Sequence, residues 1–110
     1  MGYVHATIDA GICGFTTEVV ARSDDDQHVT FEVASPCEKI QALGAGLPVV
    51  DAYQEIGAGS DGAVLTCARR HLTACCAGCI VPPAIYKTMQ VAAGLALPRD
   101  LHVALARSRV

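Results

Sequence analysis

Apolar and polar residues alternate from Tyr3 to Asp9, with Val4, Ala6 and Ile8 on one side and Tyr3, His5, Thr7 and Asp9 on the other. A period of two predicts a strand with one face buried. Two further segments, Phe15 to Arg22 and His28 to Ala34, are rich in β-branched residues and are separated by the polar run Ser23-Asp24-Asp25-Asp26-Gln27. They read as a hairpin. Between the first strand and this hairpin lies Ala10-Gly11-Ile12-Cys13-Gly14, whose glycines allow a tight loop with exposed backbone amides. Near the far end of the chain, Leu101 to Ala106 alternates again and is expected to add a last strand to the sheet.

Helix signals fill the stretch between. Ser35-Pro36-Cys37-Glu38 supplies an N-cap serine, proline at the first helical position and glutamate at the third, the arrangement of a capping box. The helix it opens runs through Lys39-Ile40-Gln41-Ala42-Leu43 and stops at Gly44. A short helical turn is expected at Asp51 to Ile56. Ser60-Asp61 is placed to cap a further helix with Val64, Leu65, Ala68 and Leu72 on one face, Arg69 and Arg70 outward, and an end near Thr73. Pro82-Pro83 starts the last helix, which passes through Ile85, Met89, Ala92 and Ala93 and ends near Gly94.

Strands come first and helices follow. This order predicts an α+β fold, a small and mostly antiparallel sheet with helices packed on one face. A chain of 110 residues with 52% hydrophobic content can bury one core, so residues 1–110 are read as a single cysteine-rich α+β domain. With no Trp, two Phe and three Tyr, the apolar share comes mainly from Ala, Val and Leu, which suits close contact between helix and sheet.

Charge and hydropathy remove several function classes. A net charge of −3 argues against nucleic-acid binding, which rests on a concentrated basic face, and the densest basic group here is only Arg69-Arg70-His71. No apolar run reaches the roughly 18 residues that span a bilayer, so no membrane association is expected. The amino terminus carries no basic start followed by an apolar stretch, and a cytoplasmic location is expected. In a reducing compartment six cysteines in a short chain read as ligands or redox groups rather than as a disulfide framework.

The cysteines are not equivalent. Cys37, at the expected second helical position, would face unpaired backbone N–H groups and the positive end of the helix dipole, which favour a thiolate. Cys13 sits in the glycine loop between the first two strands. Cys76-Ala77-Gly78-Cys79 is a C-x-x-C unit, a spacing that chelates one zinc or two corners of an iron–sulfur cluster. Cys75 is adjacent to Cys76, and neighbouring cysteines seldom share one metal, so the two are expected to point differently. Cys67 precedes His71 by one helical turn, which makes a ligand pair conceivable, although a mid-helix cysteine among Val64, Leu65 and Ala68 reads more simply as core.

Other candidates fall away. Asp24-Asp25-Asp26 lacks the spaced ligands and closing Glu of a calcium loop and reads as a solvated hairpin tip. The glycines at 57, 59 and 62 have no Gly-Lys-Ser/Thr ending of a phosphate loop. His5, His28 and His102 have no partner visible in the sequence.

In its order of elements the layout resembles the iron–sulfur cluster scaffold proteins of the IscU/NifU amino-terminal type. Cys13-Gly14 matches their early Cys-Gly turn, Ser35-Pro36-Cys37 their cysteine at a helix start after a hairpin, and Cys76 to Cys79 their cysteine before a late helix. Thr73-Ala74-Cys75 is similar to the Thr-Ser-Cys element of TSCPD domains. The resemblance spans about residues 3 to 97 and implies a cluster held by Cys13, Cys37 and one or two of Cys75, Cys76 and Cys79. Phe15 stands where the scaffolds carry an acidic residue associated with a labile cluster, which bears on transfer more than on binding.

The expectation is thus a small, non-enzymatic metal-binding protein holding an iron–sulfur cluster. It would act as carrier, scaffold or accessory electron-transfer subunit, with protein partners for either exchange and with a homo-oligomer compatible with it. A structural zinc site in an interaction module uses the same sulfurs without sulfide. A third class is a thiol enzyme with Cys37 or the C-x-x-C as nucleophile and His71 as base.

Overall fold

A computed structural model describes residues 2–108. Three strands, β1 (Gly2–Asp9), β2 (Thr16–Ser23) and β3 (His28–Ala34), lie within a residue or two of the expected boundaries. All pairings are antiparallel. β1 pairs with β2 from Gly2↔Ser23 to Asp9↔Thr16, and β2 pairs with β3 from Glu18↔Ala34 to Arg22↔Thr30. A two-residue strand, β4 (Val50–Asp51), extends β3 through His28↔Asp51 and Val29↔Val50, giving the order β1-β2-β3-β4.

Alternation decides which face is covered. Ile8, Val19, Ala21 and Val29 are buried on one side, whereas Tyr3, His5, Glu18, Arg22 and Glu32 are exposed on the other. The described residues form four α-helices, α1 (Glu38–Gly46), α2 (Ala52–Ala58), α3 (Ala63–His71) and α4 (Val81–Ala92). α4 lies over β1 and β2, α1 lies over β3, and α3 packs against both helices. This is the expected α+β arrangement, with helices on one face of an antiparallel sheet. Small residues permit the contact, since a Cβ on Gly2 would collide with the Ala92 carbonyl oxygen and one on Gly44 would fall 2.7 Å from Val33 Cβ. Leu43, Ile85, Met89, Val19, Val29, Val64 and Val81 form the most deeply buried layer.

Three local expectations are corrected. First, Ser35 does not cap α1. Cys37 is the N-cap, with an extended backbone and its carbonyl accepting the Gln41 N–H at 2.9 Å. Pro36 disfavours helical geometry at Ser35, and the Ser35 hydroxyl is engaged elsewhere, accepting from Thr17 Oγ1 at 2.9 Å and from the Cys37 N–H at 3.2 Å. α1 also continues through Gly44 to Gly46.

Second, Gly62 rather than Ser60-Asp61 precedes α3, and the capping carboxylate comes from Glu55 in α2. Its two oxygens accept the Ala63 and Val64 N–H groups at 2.8 and 2.7 Å, in a residue only 5% exposed. A Cβ at position 62 would press within 2.9 Å of that carboxylate. Third, Leu101 to Ala106 forms no strand. Those residues are exposed and pair with no strand of the sheet, so their alternation has no partner strand to complete it.

Among the described residues no helix is long and apolar enough to cross a membrane.

Candidate functional site

The strand register carries the thiols to one end. β1 finishes at Asp9 opposite Thr16, where β2 begins, so the Cys13 loop crosses this end of the sheet. β3 finishes at Ala34 opposite Glu18, and α1 therefore starts at the same end with Cys37 at its N-cap. Gly2 touches Ala92 near the C-terminus of α4, so α4 runs antiparallel to β1 and its N-terminus returns to the Asp9 end. The 3-10 turn Ala74–Gly78 and Cys79 immediately precede that N-terminus.

Each segment is shaped for an exposed turn. In the first loop Gly11 and Gly14 take φ of 83° and 74°, the left-handed region that glycine enters without strain. The Asp9 carboxylate accepts the Gly11 N–H at 3.0 Å, and Ala10 and Phe15 close the loop by an N–H to carbonyl bond of 3.1 Å. Cys13 is exposed, its sulfur 3.9 Å from the Ala10 carbonyl, and Ile12 beside it projects fully into solvent. In the late turn Ala74 has φ of 56°, costing about 1–2 kcal/mol for a residue with a Cβ. The Cys76 N–H donates to the Thr73 carbonyl and the Cys79 N–H to the Cys76 carbonyl, both at 3.1 Å.

One contact joins two of these segments. Lys39, in the first turn of α1, places its ammonium 3.4 Å from the Cys76 sulfur and donates to it. Cys37, Cys76 and Cys79 are half-buried against the edge of the core, whereas Cys75 is exposed, so the adjacent thiols Cys75 and Cys76 differ in environment as expected. Beside Cys79 an open, largely apolar groove of about 430 Å³ runs between α3 and the start of α4, lined by Leu65, Leu72, Ile80 and Pro83 with Arg69 at its rim. Lys39 carried no sequence signal as a site residue; its position two residues after Cys37 becomes meaningful only once Cys76 is seen beside it.

Shared location is not yet coordination. Among the described residues no group of three or more His, Cys, Asp or Glu side chains is close enough to hold a metal ion. The chemistry of the donors still fits a soft metal or an iron–sulfur cluster, because Cys13, Cys37, Cys76 and Cys79 present thiols from three segments at one edge.

Cys67 stands apart. It is buried in α3, and its thiol points to the Leu43 carbonyl at 3.6 Å, against the C-terminal part of α1. Burial pushes the thiol above its ordinary pKa, opposed by the charge of Arg70. His71 is indeed on the same helix face, its Nδ1 3.8 Å from that sulfur and 2.9 Å from the Cys67 carbonyl. It packs near Gly46 at the C-terminal end of α1, whereas Cys37 stands at the N-terminal end.

The remaining histidines lie elsewhere. His5 is on the open sheet face, 3.7 Å from Glu18, and His102 is in the exposed tail. At the hairpin tip, away from the cysteines, the Asp25 carboxylate accepts the Gln27 and His28 N–H groups at 3.0 and 2.8 Å and meets His28 Nδ1 at 2.7 Å. The His28 side-chain bond, followed by the two backbone bonds, holds Asp25 far below the usual carboxylate range, and the same side-chain bond raises His28.

Comparison with curated proteins and with solved structures returns no match. Residues 4–105 match a family model described as a family of unknown function, DUF6951, and the chain belongs to that family.

Proposed function

We propose that the cysteine end is a metal centre and that this protein is a non-enzymatic iron–sulfur protein, acting as cluster carrier, scaffold or accessory electron-transfer subunit. One observation carries the reading: Cys13, Cys37 and the Cys76–Cys79 unit come from three separate segments and reach the same end of the sheet. Cys13, Cys37, Cys76 and Cys79 would hold the cluster, with Cys75 as the alternative to Cys76. The cluster would supply one-electron redox capacity or a transferable iron and sulfide cargo.

The protein's own contribution is positional. The N-terminus of α1 offers unpaired N–H groups beside Cys37, and the Lys39 ammonium offsets negative charge at Cys76, which ligates as thiolate. Binding also requires the exposed Cys13 loop to close on Cys37 and on the late turn, whose Cys76 and Cys79 are half-buried at the edge of the core.

Anaerobic purification with measurement of iron, acid-labile sulfide and visible absorption tests the proposal. Iron and sulfide in comparable amounts with charge-transfer absorption are expected. A colourless protein holding stoichiometric zinc would overturn the cluster and leave the structural zinc reading.

A further inference from the structure

The segment after α4 has strand character without a strand partner. Gly94, with φ of 75°, ends the helix as Leu95 N–H returns to the Gln90 carbonyl at 2.8 Å. Beyond it, Leu101, Val103 and Leu105 alternate with His102, Ala104 and Ala106, and every residue from 101 to 108 is exposed. Leu105 is 92% exposed. Exposed apolar residues at strand period are costly to leave in water. The molecule measures 50 Å along its long axis and 27 by 25 Å across.

The sheet offers the complementary defect. β1 stands at the end of the order β1-β2-β3-β4, so one side of it pairs with no strand among the described residues. Its sequence, Gly2 to Asp9, contains no Lys or Pro, and its pairing to β2 is continuous without a bulge. Proteins commonly blunt a free edge by such devices. Eight residues of β1 provide roughly 27 Å of edge and Leu101 to Ala106 roughly 20 Å of strand, so the lengths are compatible.

We propose that Leu101 to Ala106 adds as a strand to the free β1 edge of a second copy of this chain, and reciprocally, making a tail-exchanged dimer. The geometry favours the second copy over the tail's own edge. The chain leaves α4 beside Gly2, so a tail laid on its own β1 would start at Gly2 and run parallel to it. Exchange between copies leaves the antiparallel register open, which is the better paired of the two. Main-chain bonds supply the attachment, as in other strand additions.

Light scattering after size exclusion, over a wide concentration range, tests this together with amide exchange of residues 101–106. The full chain is expected to rise from 11.4 kDa to twice that mass as its tail amides gain protection. Val103→Pro removes a main-chain donor in an exposed segment and should leave the helical spectrum intact while holding the protein at the single mass. Val103→Thr should still dimerise. A single-mass species at all concentrations, with or without protected tail amides, overturns the proposal. So does a dimer that Val103→Pro leaves unchanged.

Discussion

Cys67 and Cys76 lie close in sequence and are treated by the fold in opposite ways. Cys67 occupies the buried face of α3, donates a hydrogen bond to the Leu43 carbonyl and is made harder to ionise by burial. Cys76 sits in a turn at the end of the sheet, half-exposed, with a lysine ammonium against its sulfur. The same side chain is packing in one case and a candidate ligand in the other, and the difference lies in its element and neighbours.

The largest expected effects separate the two groups by binding. Cys37→Ser and Cys76→Ser should each lose most of the bound iron in an anaerobic preparation, with little change in the unfolding temperature of the metal-free protein, because both side chains lie only at the edge of the core. Cys67→Ala should do the reverse. It keeps its iron and loses about 1–2 kcal/mol in denaturant unfolding, the cost of a small cavity in the core.

On stability alone Glu55 exceeds either cysteine. Glu55→Ala leaves the Ala63 and Val64 N–H groups without their acceptor in a buried site, and denaturant unfolding should register a loss of about 2–4 kcal/mol. Because α3 holds Cys67, this would weaken the packed side while iron binding by the folded protein persists. Loss of iron from the folded variant would blur the division between the two sides.

The smallest effect should come from the hairpin tip, distant from both cysteines. His28 is raised above 6.5 by Asp25, so its contribution is complete below that value and is lost as pH rises through the raised pKa. Asp25 is depressed below 3.8, so its contribution is present above that value and fades as pH falls through the depressed pKa. The pair therefore stabilises most between 3.8 and 6.5. In thermal unfolding, His28→Asn should flatten the alkaline side of that plateau without altering metal content.

How much of this was legible in the sequence follows from how local each signal is. Alternation at Val4, Ala6 and Ile8 and the proline pair at the start of α4 depend on near neighbours, and those elements were readable. The Glu55 cap was not, because its partners lie eight and nine residues on, across a turn. Ser35 satisfied a local capping pattern, yet the hydroxyl of Thr17 from another strand claimed it. Leu101 to Ala106 had the right period, but a strand also needs a partner, and alternation cannot supply one. At the candidate site the cysteines were visible as residues and Lys39 was not, since its meaning depends on Cys76 across the fold.

The most direct test of a shared cysteine centre is alkylation of the folded protein, read cysteine by cysteine by mass spectrometry before and after anaerobic reconstitution with iron and sulfide. The account predicts that Cys13, Cys37, Cys76 and Cys79 lose reactivity together and recover together when the metal is chelated, with Cys67 slow throughout. Protection confined to Cys76 and Cys79, with Cys13 and Cys37 reacting freely, would contradict a centre built from three segments.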